Sequence, residues 1–284
     1  MNTSNQDIFS LKKMTDTDFD RISTFIYNEL GMKMPPQKKI LLEGRLYKRL
    51  RELNIDTFKE YIDFVLTKGE FNGELITMFD LVTTNKTDFF RESQHFDFFS
   101  KKYLNDFRLI NPGKNLKIWS AGCSSGEEVY TLAMICYEFK VNNIDFDFHI
   151  LGTDISNKMI TSASMAIYPD SRIGDIPFDL KKKYLLKSKD HSLKMIRIVP
   201  ELRLKTSFLR HNLMNENYNE FEAFDAIFCR NVLIYFDANT QKLVIQKLLS
   251  RLKTGGYLFL GHSETVSSSK FDLQHIQPSV YIKN

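Results

Sequence analysis

The feature that most constrains this chain is a change of texture at Leu116. From there onward, short apolar runs rich in Ile and Phe (LKIWSAG, FDFHILGTD, FDAIFCRN and GGYLFLGH) alternate with helix-length segments such as 127–139 and 239–252. Strands alternating with helices predict an α/β fold with a doubly wound, mostly parallel sheet, because a parallel pair needs a long crossover to bring the chain back. Residues 16–81 carry no strand-like run and read as successive amphipathic helices, broken at MPPQ (34–37) and around Lys68 to Gly73. The expected layout is an all-helical N-terminal domain over 1–82, a linking segment over 83–115 and a sheet domain over 116–284. Inside the sheet domain, 168–208 departs from the alternation. There LKMIRIVPELRLKTSFL holds two strand-like runs about a Pro-Glu turn, which predicts a small antiparallel β insertion.

Composition narrows the class. The 284 residues, 43% hydrophobic and 26% charged, are enough for two modest globular domains. No apolar run approaches the ~20 residues of a membrane-spanning helix, and the start MNTSNQDIFSLKKMTD lacks the apolar stretch of a secretory signal. A soluble, cytoplasmic protein without membrane insertion is expected, with monomer as the default. Cys123, Cys136 and Cys229 form no CxxC pair, so they suggest neither a disulfide framework nor a metal site. A net charge of +4 does not by itself argue for nucleic acid. Positive charge is concentrated locally: Lys38, Lys39, Arg45, Lys48, Arg49 and Arg51 flank Leu42, Leu46, Leu50 and Leu53 at helical spacing, giving an amphipathic helix with a basic outer face.

The strand LKIWSAG runs into CSSGEEVYTLAMICYEF, giving a strand, a tight turn holding Gly122 and Gly126, and a helix. In doubly wound folds this first turn is where a nucleotide-like ligand meets backbone and helix amides. The helix opens on Glu127 and Glu128, and two carboxylates would repel a pyrophosphate. That disfavours NAD or ATP and suits S-adenosylmethionine, which carries an ammonium and a sulfonium and no phosphate. Glu128 is the preferred contact, with Glu127 the alternative, and either could serve only the helix dipole. Asp154 ends the next apolar run at the distance typical of the acid that grips a ribose diol, or else it caps the following helix.

Three further segments stand out: TTNKTDFFRE (83–92), FDAIFCRNVLIYFD (224–237) and GHSET (261–265). Read with WSAGCSSGEE, they resemble the signature segments of the chemotaxis receptor methyltransferase (CheR) family, in order and spacing, along nearly the whole chain. The resemblance implies a class I S-adenosylmethionine-dependent methyltransferase of Rossmann-like fold. Such an enzyme esterifies glutamate side chains of a chemoreceptor and leaves S-adenosylhomocysteine. It implies that Asn85, Thr87 and Arg91 reach the cofactor, with Arg91 holding either the methionyl carboxylate or a substrate carboxylate. It further implies that Asn212 and Leu213 flank the adenine or its amino group, that Cys229 and Arg230 lend the cofactor backbone contacts with Asn231 beside them at the next strand end, and that Tyr235 faces the transferred methyl. Arg91 and Tyr235 are the expected catalytic residues. Arg45, Lys48 and Arg49 would dock against the receptor's acidic cytoplasmic helices.

GHSET matches the family as well, but no chemistry is assigned to it. A glutamate carboxylate is ionised at neutral pH and needs no base, so His262 reads as structural. The stretch RNVLIYF lacks the Asx-Pro-Pro-aromatic tetrapeptide by which DNA amino-methyltransferases resemble one another. The rival readings are the same fold acting on another protein or a small acid, and a non-catalytic module that binds the cofactor.

Overall fold

The computed structural model describes residues 13–68, 73–266 and 271–284. The chain forms two compact units, one ending at Thr83 and the other beginning at Thr84.

The first unit is helical: α1 (Asp16–Leu30), α2 (Lys39–Glu52), α3 (Phe58–Lys68) and α4 (Glu74–Val82). Helix α1 starts at a reciprocal cap, in which the Thr15 hydroxyl accepts from Asp18 N at 3.1 Å and the Asp18 carboxylate accepts from Thr15 N at 3.4 Å. It stops at Gly31, whose φ of +66° suits a residue without Cβ. The MPPQ break separates α1 from α2 as expected. Residues 69–72 of the second expected break lie outside the described residues, as do 1–12. Leu42, Leu46 and Leu50 form the buried stripe of α2, and Phe19, Ile22, Ile26, Tyr61, Ile62, Met78 and Phe79 are buried on the other helices of this unit.

Glu74 is buried inside this unit, at 3% exposure. The Arg49 guanidinium donates to it from Nε at 3.0 Å, and the Tyr61 hydroxyl donates at 2.9 Å. Burial, reinforced by the Glu74 charge, pushes the Tyr61 hydroxyl well above its ordinary value, which keeps it a donor. Arg49→Ala would take the guanidinium fork away from a buried carboxylate. Allowing for the guanidinium's partial exposure, we expect a loss of about 2 kcal/mol, read as a lower urea midpoint at unchanged slope. An unchanged midpoint would show that the pair adds nothing.

The second unit contains α5 (Ser93–Phe98), α6 (Leu104–Ile110), β1 (Asn115–Ala121), α7 (Glu127–Val141), β2 (Asp147–Asp154) and α8 (Asn157–Met165). There follow β3 (Ile167–Pro169), α9 (Phe178–Tyr184), β4 (Leu185–Lys187), β5 (Met195–Ile198), α10 (Pro200–Arg203) and β6 (Thr206–Arg210). The unit closes with β7 (Phe224–Cys229), α11 (Ala238–Arg251), β8 (Leu252–Leu260), β9 (Leu273–Gln277) and β10 (Val280–Lys283). The main sheet has the order β6-β2-β1-β7-β8-β10-β9. Its pairs are parallel from β6 to β8, and β10 runs antiparallel to both of its neighbours. The order reverses at β1, so the ends of β1, β2 and β7 open on the crevice where such sheets bind ligands.

Two expectations change. Residues 84–114 are part of the sheet unit and not a linker. Phe96, Phe99, Tyr103 and Phe107 recur at helical spacing and are buried in the same core as Phe228 and Phe259, whose rings stack at 4.2 Å across β7 and β8. The insertion is real but smaller: its sheet, β3-β5-β4, ends at Ile198. The two strand-like runs do not pair with each other, because Pro200 opens the short helix α10 between them with Leu202 buried beneath it. The second strand-like run, β6, then joins the main sheet in parallel beside β2.

Candidate active site

Strand β1 ends in a turn that only glycine completes easily. Gly122 and Gly126 have φ of +83° and +92°. The amides of Gly122 and Cys123 both donate to the Thr153 carbonyl at 2.8 Å, which fixes the turn to the end of β2. A Cβ on Gly122 would stand 2.4 Å from Val232 Cγ2. The turn after β1 and the loop after β7 therefore pack against each other with no spare volume.

Asp154, the last residue of β2, is 8% exposed. Its Oδ2 accepts from Ser124 N at 2.8 Å and its Oδ1 from Ser156 N at 2.9 Å. The cap of α8 is Ser156, whose hydroxyl accepts from Met159 N at 3.2 Å. Asp154 thus braces the glycine turn. His211 N donates to the Asp154 carbonyl at 2.9 Å, which sets Asn212 and Leu213 beside it at the end of β6. Ser124 also donates its hydroxyl to the Asn85 carbonyl at 2.9 Å, tying the 84–92 segment to the turn.

The two glutamates opening α7 diverge. Glu127, 1% exposed, accepts from the Ser125 hydroxyl at 2.7 Å and from Arg172 at 2.6 Å. Its burial raises the carboxyl above its usual value against the opposing pull of Ser125 and Arg172. Arg172 also donates to the Thr87 carbonyl at 2.5 Å. Glu128 turns the other way, accepting from the Ser120 hydroxyl at 2.7 Å and from Arg230 Nη1 at 2.9 Å.

Arg230, whose side chain is 3% exposed, is the hub of the site. Beyond Glu128 it donates through Nη2 to Glu92 at 2.9 Å and to the Arg91 carbonyl at 2.5 Å, with its guanidinium 5.1 Å from the Phe96 ring centre. Burial alone would raise the Glu92 carboxyl, but hydrogen bonds from Asn231 and Arg230 outweigh it and hold it below its usual value. Nearby, burial together with the Arg230 charge pushes the His95 imidazole down to about 4. Arg91 itself folds back, Nη1 donating to the Lys86 carbonyl at 3.0 Å. Cys229 is fully buried, and burial pushes its thiol well up. Tyr235 lies partly exposed on the one-turn helix after β7.

Sequence reasoning placed Asn85, Thr87, Arg91, Glu128, Asp154, Arg230 and Asn231 near one cofactor, and hydrogen bonds connect their segments. It missed two residues. Glu264, 4% exposed, accepts from the amides of Asn231 at 2.9 Å, Gly261 at 2.7 Å and Ile234 at 3.2 Å, so the GHSET glutamate anchors the loop that carries Tyr235. The other is Arg172, whose only signal was its place in the insertion. Arg45, Lys48 and Arg49 lie on α2 of the helical unit, and the Arg49 fork is turned to Glu74. Lys48 is the open one, its side chain 87% exposed and 3.8 Å from Glu52.

Comparison with known proteins bears on this arrangement directly. Residues 85–282 match the model of the CheR methyltransferase SAM-binding domain, and 17–83 match that of the CheR methyltransferase all-alpha domain. The chain is 41% identical over 289 residues to a chemotaxis protein methyltransferase of Borreliella burgdorferi, covering 100% of each. It is 32% identical over 267 residues to chemotaxis protein methyltransferase 2 of Pseudomonas aeruginosa, covering 94% of this chain and 93% of the relative. With the chemotaxis protein methyltransferase of Escherichia coli it shares 32% over 254 residues, covering 89% and 86%. The chain belongs to the CheR methyltransferase family, as an S-adenosylmethionine-dependent methyltransferase with the family's all-alpha domain ahead of its cofactor-binding domain.

Proposed function

We propose that this methyltransferase esterifies glutamate side chains on the cytoplasmic helices of a chemoreceptor. The observation that carries the reading is how the ionised groups at the strand ends are used: Glu128, Arg230 and Glu92 are committed to one another, so the site is built for positioning. A glutamate carboxylate arrives already ionised, and alignment with exclusion of water is what it requires.

S-adenosylmethionine, when bound, supplies a methyl group on a sulfonium. In this reading the Asp154 carboxylate takes the ribose hydroxyls, and the outer edge of Glu128 faces the ammonium. Asn212 and Leu213 flank the adenine, with Asn85, Thr87, Cys229, Arg230 and Asn231 closing the walls. Arg91 swings from the Lys86 carbonyl to hold a carboxylate, and Tyr235 orients the acceptor beside the methyl. The basic face of α2 steers the enzyme onto the acidic helices, with Lys48 its free contact and Arg45 and Arg49 beside it. The enzyme acts as a monomer in the cytoplasm.

Mass spectrometry of a receptor cytoplasmic fragment incubated with enzyme and cofactor tests this. Increments of ~14 Da on glutamates, removed by mild base, are expected; increments stable to base, or none, would overturn the substrate assignment. Lys48→Glu should raise the KM for the fragment several-fold at low salt with little change in kcat, because a rim charge acts on association. A shift in cofactor affinity instead would exclude docking by this face.

A further inference from the structure

Outside the cofactor turn, the start of α5 and the GHSET segment bring together three side chains able to bind metal. Glu92, His95 and His262 each offer one ligand atom within 4.8 Å of the others. His95 Nδ1 stands 3.7 Å from Glu92 Oε2. The two imidazole rings lie 4.9 Å apart, centre to centre, at 77°. Two imidazoles bound to one tetrahedral zinc at ~2.0–2.1 Å hold their ring centres about 5 Å apart. The pair already has that separation.

The second observation is the state of His95. The residue is 1% exposed, and among the described residues neither ring nitrogen has a hydrogen-bond partner. The Glu92 carboxylate lies on its Nδ1 side at 3.7 Å, beyond hydrogen-bond reach. A neutral imidazole carries one N–H and one lone pair, and a buried ring that uses neither is held at a cost. A cation between the imidazole and Glu92 takes up the lone pair and the carboxylate charge together.

We propose that Glu92, His95 and His262 form a binding site for a divalent cation of the zinc class. Two imidazoles and a carboxylate suit zinc and disfavour magnesium or calcium. His262 is exposed and gives the ion its way in. Glu92 Oε2 also receives Arg230 Nη2 at 2.9 Å, so an ion on that oxygen competes with Arg230, which in turn holds Glu128. Zinc is thus expected to oppose cofactor binding. That coupling rests on the proposed role of Glu128, whereas the ion site does not.

The test is titration of the full chain with Zn2+ against a chromophoric chelator, with Mg2+ as control. One zinc per chain is expected, weakened roughly tenfold or more in His262→Ala, whose metal-free melting curve should match that of the unsubstituted protein. Co2+ should show visible bands of a nitrogen and oxygen site that His262→Ala abolishes. Absence of zinc binding, undiminished binding in His262→Ala, or cobalt spectra with thiolate character would overturn the site. Competition is read separately, as a several-fold weaker affinity for S-adenosylhomocysteine with zinc present. Zinc binding that leaves this affinity unchanged overturns the coupling and spares the site.

Discussion

Arg230→Ala is expected to lower the stability of the protein by about 3–5 kcal/mol, the cost of removing one partner from a buried ionic network. The guanidinium bridges Glu92 and Glu128 from a side chain that is 3% exposed. Its loss leaves two largely buried carboxylates without the cation they share. For a unit of this size the melting temperature should drop by on the order of 10 °C. Arg230→Lys should recover less than half of the loss, because an ammonium lacks the fork that reaches both carboxylates and the Arg91 carbonyl. A drop of only a degree or two in Arg230→Ala would mean that the network is solvated and that Arg230 is no hub.

The second large effect is at Gly122. Alanine there meets Val232 Cγ2 at 2.4 Å and must hold a φ of +83°, which costs about 1–2 kcal/mol without any contact. The overlap should push the glycine turn away from the Thr153 carbonyl, and a displacement of this order at a binding turn is expected to weaken S-adenosylhomocysteine on the order of 100-fold. Adding Val232→Ala removes the clash but not the backbone strain, so the double substitution should recover part of the affinity. If it recovers none, the loop contact is irrelevant and the damage lies wholly in the turn. Isothermal titration of Gly122→Ala, Val232→Ala and the double substitution distinguishes these outcomes.

What the sequence disclosed follows from what is local. The runs LKIWSAG, FDFHILGTD, FDAIFCRN and GGYLFLGH became β1, β2, β7 and β8 because alternation of strand and helix is written in short windows. The glycine turn was readable for the same reason, since Gly122 and Gly126 bracket a strand end. Residues 93–110 were passed over as a link because Phe96, Phe99 and Tyr103 show helical spacing without announcing which unit they serve. Only their burial against Phe228 and Phe259 decides that. The run TSFLR looked like the partner of MIRI, but adjacency in sequence is no guide once a helical turn at Pro200 redirects the chain.

The side-chain lattice was the least readable part. Arg230 was expected to lend its backbone, and its guanidinium proves to join three segments distant in sequence. Glu264 carries no local sign of accepting three backbone amides, because those amides are presented only when the ends of β7 and β8 stand side by side.

The β3-β5-β4 insertion touches the glycine turn and the start of α7 at two points: Tyr168 of β3 donates its hydroxyl to the Ser125 carbonyl at 2.7 Å, and Arg172 reaches Glu127. An insertion that looks like an accessory is thereby mechanically in series with the glycine turn. Whatever loads or unloads that sheet changes the work of filling the turn, and reciprocity requires that filling the turn changes the sheet's grip by the same free energy. Trimming or exchanging the insertion is therefore not a neutral graft: it would reset cofactor affinity even if no residue of the pocket were touched.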